Sequence, residues 1–369
     1  MNFVVKLNIT SFDSLSGFFI EYGVCRKDLL ITNEYLIAPH ADVKKLPCDV
    51  LFQEQFGAGE PSDEIVDAMI GALSGKEYDR IIAIGGGSVI DIAKLFVFGD
   101  GLTCEKIFAE GANLQRKRGL IIVPTTCGTG SEVTSISIVE FKKKQTKLGL
   151  NIPALFADTA VLIPSLLSTL PYEVFATSSI DALIHAVESH VSPKANEFTR
   201  TFGYRAIELI LHGYQELDKK GGKKEIPRDT YPFLAASVMS GIAFGNAGVG
   251  AVHALGYPLG GIYHVPHGKA NYMVFEKVFA AYLAKKADLE ALQYALASAL
   301  GCPESKALEK MFELIEKIYP NEPIGKLGVN EEKCAQMAES VIKNQQRLLV
   351  NNPIELTVQD VREIYISCL

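Results

Sequence analysis

The chain lacks the features that mark several classes of protein. With a formal net charge of −7, it has no surplus of positive charge for holding nucleic acid or an anionic membrane surface. Its seven cysteines are an odd number and include no CxxC pair, so we expect reduced thiols rather than a disulfide framework. The N-terminus lacks the basic and then apolar layout of a signal peptide. We therefore expect a cytoplasmic protein with no nucleic-acid partner and no membrane partner.

One long segment lacks charged side chains altogether. Residues 230–268 contain no Asp, Glu, Lys or Arg, but they include many glycines, several prolines and three histidines. Polar and helix-breaking residues make such a segment a poor membrane span. We expect buried helices packed around a polar site instead. The whole chain, at 369 residues, is long enough for two domains with separate cores.

The first 160 residues alternate short β-rich runs with helical stretches. Four runs, at residues 29–32, 80–84, 120–123 and 160–163, are typical of parallel strands that are covered on both faces. Ser62, which is followed by two acidic residues, marks the start of an amphipathic helix. This alternation predicts a Rossmann-like α/β domain with an open, mostly parallel sheet over residues 1–160.

The strand pattern fades after Pro164. Apolar residues at helical spacing fill residues 172–191, 196–217 and 231–244 instead. We therefore expect an all-helical domain over residues 161–369.

Two loops that follow predicted strands are rich in small residues. Residues 85–88 read Gly-Gly-Gly-Ser and open a helix, where backbone N–H groups and the helix N-terminus favour a phosphate. They do not form the GxGxxG pattern, and a tight strand-to-helix turn is the alternative interpretation. Residues 124–132 follow another strand and are dense in hydroxyl side chains. Because such loops at the carboxyl ends of neighbouring strands border one crevice, together they favour a dinucleotide.

Four side chains form a possible set of metal ligands. Asp181 and His185 lie four residues apart in a predicted helix and share one face of it, while His253 and His267 bracket a glycine-rich stretch. One carboxylate and three imidazoles suit a divalent first-row metal, Fe²⁺ or Zn²⁺. The alternative is a group of buried histidines that satisfy their hydrogen bonds inside helices. A dinucleotide together with a metal favours hydride transfer.

Three motifs occur in one order along the chain: GGGSxxDxAK at residues 85–94, PTTxGTGSEVT at residues 124–134, and the four possible metal ligands. In this order they resemble the iron-containing alcohol dehydrogenase family over essentially the whole chain. The resemblance implies a dinucleotide domain, a helical metal-binding domain with a dehydroquinate synthase-like fold, and a cleft between them. Within the family, residues 59–63, the segment around His264 and residues 345–352 are most similar to enzymes that act on 4-hydroxybutyrate.

The resemblance also implies roles for particular residues. The metal ligands would be Asp181, His185, His253 and His267. The pyrophosphate side of the cofactor would be held by Gly86, Gly87, Ser88 and Asp91. The rest of the cofactor would be lined by Thr125, Thr126, Thr129, Thr134 and Lys147. The implied reaction interconverts 4-hydroxybutyrate and succinate semialdehyde by hydride transfer, with NAD(H) and one divalent metal, Fe²⁺ being favoured over Zn²⁺.

Three positions depart from the family's pattern. Where many members carry an aspartate for the adenosine ribose, this chain has Asn33 and Glu34. Glu34 would accept from ribose hydroxyls and repel a 2′-phosphate, which favours NAD(H) over NADP(H). Tyr257 stands where many members carry a histidine, four residues after the third metal ligand. The late Asn-Pro-Arg of the family is Asn-Pro-Ile here, which leaves Arg347 as the nearby cation.

The implied reaction needs a hydride donor and a group that stabilises the charge growing on the substrate oxygen. The nicotinamide would supply the hydride and the metal would act as a Lewis acid. Tyr257 or His264 would relay the proton, although Tyr257 can equally be a packed aromatic residue. The substrate carboxylate needs a cationic anchor, for which Arg347 and His264 are candidates, followed by Lys269. For each of these three, a surface or structural role is the alternative.

Three other functions are open on the sequence alone. The first is a family enzyme for another small primary alcohol or aldehyde, such as butanol, 1,3-propanediol or lactaldehyde. The second is a dehydroquinate synthase-like lyase, which needs basic residues that residues 230–268 do not offer. The third is a non-catalytic nucleotide sensor, although structural zinc sites are often rich in cysteine. In each case we expect a small-molecule ligand, and a homodimer is the expected assembly.

Overall fold

The computed structural model describes residues 3–57, 59–73, 75–99, 101–144, 146–219, 221 and 224–369. Within these residues the chain forms two compact units. The sheet unit comprises Val5–Leu170 and Arg228–Leu234. The helical unit comprises Pro171–Pro227 and Ala235–Leu369, together with Val4 at the N-terminal end.

The sheet unit contains all of the strands found in the described residues. Their bounds are β1 Asn8–Ser11, β2 Asp28–Thr32, β3 Asp49–Phe52, β4 Arg80–Gly85, β5 Gly119–Pro124, β6 Ile136–Phe141, β7 Thr146–Asn151 and β8 Thr159–Leu162. Six of them form one parallel sheet in the order β1-β8-β5-β4-β2-β3, while β6 and β7 form an antiparallel pair. The four predicted strands are the central four, β8, β5, β4 and β2. The parallel sheet confirms the predicted fold class.

Helices cover both faces of this sheet. Their bounds are α1 Leu15–Glu21, α2 Glu34–Ile37, α3 Asp63–Gly71, α4 Gly87–Leu95 and α5 Cys104–Glu110. Successive side chains of a strand point to opposite faces, so Leu29 and Ile31 pack in one core with α3, α4 and α5, and Leu30 packs in a second core with α1 and α2. The predicted helix start is confirmed, because Ser62 Oγ accepts a hydrogen bond from the Ile65 amide at 3.3 Å.

The predicted domain boundary at residue 160 falls inside β8. The sheet unit continues to Leu170, since β8 pairs with β1 and β5 and so belongs to the sheet.

The rest of the chain is helical, as predicted. The helix bounds are α6 Tyr172–Val191, α7 Glu197–Lys219, α8 Tyr231–Ala247, α9 Ala251–Tyr263, α10 His267–Ala284, α11 Glu290–Leu300, α12 Ala307–Ile318, α13 Glu331–Asn344, α14 Gln346–Leu349 and α15 Val358–Ser367. Helix α6 is buried along almost its whole length, from Phe175 to His190. Polar residues of α6 therefore lie inside the helical unit, where each needs a partner.

Helices α9 and α10 follow each other closely. Helix α9 is capped at its C-terminal end by His264, whose backbone is left-handed with φ of 56°. Pro266 then leads directly into His267 at the start of α10. In the described part of the chain, no single helix is long and apolar enough to cross a membrane; α8 and α9 reach that length and composition only as a pair, bent by 105°.

Candidate metal centre and cofactor loops

Four predicted ligands come together in the helical unit. Asp181 and His185 lie on α6, His253 lies on α9, and His267 is the first residue of α10. The three imidazole Nε2 atoms lie 4.0 Å (His185), 3.8 Å (His253) and 4.0 Å (His267) from an Asp181 carboxylate oxygen. The four ligand atoms are all within 4.8 Å of one another. One oxygen and three nitrogens around one point form a donor set that suits Fe²⁺ or Zn²⁺.

Two glycines allow the three helices to approach so closely. A Cβ on Gly268 would lie 2.5 Å from the Thr177 carbonyl oxygen of α6, so only glycine lets the start of α10 lie against α6. A Cβ on Gly256 would lie 2.1 Å from Asn271 Oδ1, which brings α9 against α10 in the same way. The positions of His253 and His267 therefore depend on glycines beside them.

Asn271 holds the Asp181 carboxylate in place. Its side-chain amide donates to Asp181 Oδ1 at 2.8 Å and lies 3.2 Å from His267 Nε2. Burial acts to raise the pKa of Asp181, but the imidazoles of His185, His267 and His253 hold that pKa below the ordinary value. The aspartate is therefore an ionised oxygen donor in a buried site.

Glu188 orients His253 from the side opposite Asp181. His253 Nδ1 donates to Glu188 Oε2 at 2.6 Å, and Glu188 Oε1 accepts from the Val252 amide at 2.7 Å. Since a carboxylate only accepts, the Nδ1 atom carries a proton, and Nε2 is the ring nitrogen that faces Asp181. His253 Nε2 is buried and has no hydrogen-bond partner in the described residues. This orphaned nitrogen fits a metal ion, and a carboxylate that orients the ring from behind is typical of metal-binding histidines.

Tyr257 and Arg347 lie next to the ligand cluster. The Arg347 guanidinium donates to the Tyr257 hydroxyl at 3.2 Å and lies 5.6 Å from the centre of its ring. The Tyr257 ring is in turn 6.2 Å from the His267 ring, centre to centre. Arg347 is exposed and forms no ion pair with a described residue. A guanidinium with no carboxylate partner among the described residues therefore lies beside the four ligands.

The other two candidates for the anchor of the substrate carboxylate, Lys269 and His264, differ from Arg347. Lys269 pairs with Glu322 at 2.8 Å and with Glu173 at 3.7 Å, so its charge is already balanced by two carboxylates. His264 is exposed and caps the C-terminal end of α9.

The two predicted cofactor loops lie side by side in the sheet unit. Strands β4 and β5 are neighbours, and the Thr125 amide donates to the Gly85 carbonyl at 3.0 Å. A Cβ on Gly87 would lie 2.8 Å from Thr129 Cγ2, and one on Gly86 would lie 3.3 Å from Thr126 Cγ2. The glycines therefore leave room for the threonines of the second loop. Their backbone N–H groups, with the half-buried Ser88 at the start of α4, suit a pyrophosphate.

Two predicted cofactor residues are engaged within the protein. Asp91 accepts from Ser131 Oγ at 2.6 Å and from the Ile138 amide at 2.9 Å. Thr134 is buried and lies 3.4 Å from Lys94 Nζ, which also donates to Ser131 at 2.7 Å. These hydrogen bonds connect α4 to the second loop, so both side chains shape the loop.

Lys147 and Asn33 also have protein partners. Lys147 on β7 pairs with Glu60. The Asn33 side chain donates to Gln53 at 3.0 Å and to Glu54 at 2.8 Å.

Sequence reasoning missed several residues that support these sites. For most of them a signal was present in the helical spacing. Glu188 is seven residues after Asp181, Asn271 is four after His267, and Lys94 is three after Asp91, so each pair shares a helix face. Glu54 carried no such signal.

Comparison with known proteins identifies the family. Residues 11–164 match the iron-containing alcohol dehydrogenases, and residues 175–369 match the C-terminal part of the Fe-containing alcohol dehydrogenase family. A 4-hydroxybutyrate dehydrogenase of Clostridium kluyveri is 44% identical over 362 residues, which cover 97% of each chain. The chain belongs to the iron-containing alcohol dehydrogenase family. This confirms the family resemblance that was inferred from the three sequence motifs.

One further relative and two solved structures extend the comparison. Long-chain-alcohol dehydrogenase 1 of Geobacillus thermodenitrificans is 32% identical over 317 residues, 83% of this chain and 79% of that protein. An iron-containing alcohol dehydrogenase structure from Thermococcus thioreducens covers 100% of this chain and 99% of its own at 27% identity and a TM-score of 0.80. Sulfoacetaldehyde reductase of Bifidobacterium kashiwanohense, solved with NAD⁺, covers 100% and 98% at 20% identity and a TM-score of 0.85. The last similarity concerns the fold alone.

Proposed function

We propose that this enzyme interconverts 4-hydroxybutyrate and succinate semialdehyde with NAD(H) and one divalent metal. The observation that carries the proposal is the guanidinium of Arg347, which has no acidic partner in the described part of the chain and lies beside four clustered metal-type ligands. The chain is 44% identical to a 4-hydroxybutyrate dehydrogenase. The sheet unit would form the cofactor domain and the helical unit the metal and substrate domain.

The residues that would hold the metal are Asp181, His185, His253 and His267. Fe²⁺ is our first choice on family grounds, and Zn²⁺ suits the same donors. NAD(H) would lie against the glycine and threonine loops, where the first-turn N–H groups of α4 suit a pyrophosphate. When bound, the cation supplies Lewis acidity at the substrate oxygen and the nicotinamide supplies the hydride.

Arg347 is our choice for the substrate carboxylate. A planar guanidinium can donate two parallel hydrogen bonds to a carboxylate, and this one lies next to the ligand cluster without a competing acid in the described residues. Lys269 is a weaker candidate, since Glu322 and Glu173 already balance its charge.

Tyr257 is our choice for moving the proton. Its hydroxyl accepts from Arg347, so its own proton points elsewhere and can be passed on. His264, exposed at the end of α9, would be the second member of a relay to solvent. A cytoplasmic homodimer stays part of the proposal, and sedimentation velocity of the purified enzyme tests the dimer.

Two other activities are the competing proposals. A preference for an uncharged aldehyde such as butanal would keep the enzyme in its family and remove the role of Arg347. A lyase that returns the hydride in one turnover would produce no net NADH from a simple alcohol, and a net rise in absorbance at 340 nm with 4-hydroxybutyrate would exclude it.

The test compares succinate semialdehyde with butanal, using NADH and anaerobically iron-loaded enzyme. Arg347→Ala should raise the KM for succinate semialdehyde about 10- to 100-fold, the value of a charge-assisted bidentate contact, and leave the KM for butanal within about twofold. Lys343→Ala, which removes an exposed cation from the last turn of α13, is the matched control and should change neither. Equal changes for both aldehydes would remove Arg347 from the carboxylate role.

A further inference from the structure

Glu54 presents a fixed negative charge at the carboxyl edge of the sheet. It follows β3, and its two carboxylate oxygens reach the end of β2. Oε2 accepts from the Asn33 side chain at 2.8 Å, and Oε1 accepts from the Glu34 amide at 2.6 Å. Asn33 is itself 4% exposed and donates also to Gln53, so the anchor of Glu54 is rigid.

The side chain of Glu34 is held far less. It is exposed, and its carboxylate has no hydrogen bond or ion pair with any residue the structure describes. An unanchored glutamate can swing away from an unfavourable neighbour, whereas Glu54 cannot do so without breaking two hydrogen bonds.

The charge of Glu54 is also uncompensated. No Lys, Arg or His forms an ion pair with it in the described ranges. The Glu54 carboxylate lies at the end of β2, where a negative charge would affect dinucleotide binding. Strand β2 is the neighbour of β4, and β4 leads into the glycine loop at Gly85. In open α/β sheets, an acidic group at the end of the strand beside the phosphate-loop strand faces the adenosine ribose.

We propose that Glu54, anchored by Asn33, is the carboxylate that selects NAD(H) against NADP(H), and that Glu34 is not. The inference rests on the proposed use of a nicotinamide dinucleotide. Glu54 would accept from a ribose hydroxyl and repel a 2′-phosphate, and Asn33 acts as its positioning residue because both amide hydrogens are already donated to protein oxygens.

The experiment measures dissociation constants of NADH and NADPH by nicotinamide fluorescence, and kcat/KM for each with succinate semialdehyde. Glu54→Gln keeps the length of the side chain and the acceptor for the Glu34 amide, but it removes the charge and the hydrogen bond from Asn33. Its affinity for NADPH relative to NADH should rise about tenfold, because close charges repel measurably even in water. Glu34→Gln is the matched control and should change the ratio less than about twofold. Glu54→Ala, checked for folding by its melting temperature, should shift the ratio in the same direction.

The inference would be overturned if the affinity ratio of NADPH to NADH changed in Glu34→Gln but not in Glu54→Gln. It would also be overturned if the ratio changed in neither variant. A wild-type enzyme that already prefers NADPH would overturn it as well. Failure of the proposed function looks different: the wild type would bind NADH and leave succinate semialdehyde unreduced, while the binding ratio would still test Glu54.

Discussion

Replacing Glu188 by glutamine should weaken metal binding by changing the protonation of the His253 ring. In the wild type, Glu188 accepts from both His253 Nδ1 and the Val252 amide, so the His253 proton stays on Nδ1. Glutamine can keep the hydrogen bond from Val252 with its oxygen, but then its NH₂ group faces Nδ1. That arrangement favours the tautomer with the proton on Nε2, the atom that faces Asp181, and a protonated Nε2 cannot bind a metal.

The size of the effect follows from the hydrogen bond that the substitution removes. A buried, charge-assisted hydrogen bond of 2.6 Å fixes the ring and its basicity. Losing such support behind a metal-binding histidine typically costs about 10- to 100-fold in metal affinity, or about 1.4 to 2.8 kcal/mol. We expect a loss in this range for Glu188→Gln, with a smaller loss of kcat when the metal is saturating.

The assay is an anaerobic titration of metal-free enzyme with Fe²⁺, repeated with Zn²⁺ in air. Ser189→Ala is the matched control, because Ser189 is equally buried on α6 and, within the described residues, its hydroxyl bonds only to the Ala186 carbonyl. The melting temperature of the metal-free proteins shows whether Glu188→Gln folds. A folded Glu188→Gln enzyme with wild-type metal affinity would refute the reasoning.

Two further predictions concern the cofactor loops. Gly87→Ala places a Cβ 2.8 Å from Thr129 Cγ2, so the two loops must separate; the KM for NADH should rise about tenfold while the KM for succinate semialdehyde changes little. Burial lowers the pKa of Lys94 to about 8, below its value in the unfolded chain, so the unfolded state binds more protons above that pH. The free energy of unfolding of the wild type should therefore rise relative to that of Lys94→Met between about pH 8 and pH 10, as measured by urea titration. Parallel pH dependences of the two proteins would contradict this.

Local patterns predicted the elements that have strong local signals. The central strands β2, β4, β5 and β8 were found because they are continuous apolar runs, as strands buried on both faces must be. The edge strands β1 and β3 were not found, since each has four residues and is largely half-buried or exposed. Long helices such as α6 were found within a residue or two, because their apolar spacing persists over many turns.

The residues of the candidate site likewise differ in how strong their local sequence signal is. Asp181 and His185 were paired from their spacing alone, and Glu188 was within reach of the same argument. Asp91 is predicted to hold the pyrophosphate and Thr134 to line the rest of the cofactor, and both roles stay predictions. The structure shows that their side chains are also bonded to other parts of the chain. A motif fixes which residue types are present at a loop, while the direction of each side chain depends on what packs against it.

Residue chemistry and short-range periodicity are properties of neighbouring positions, so the family, the order of the loops and helices, and the donor types of the candidate metal centre follow from the amino-acid sequence. Which distant groups meet depends instead on tertiary packing. Glu188 reaches His253 across 65 positions, and Glu54 reaches Asn33 across 21. These pairs form where separate helices and strands pack. At the metal-ligand cluster, the close approach of the helices is set by steric fit at Gly268 and Gly256.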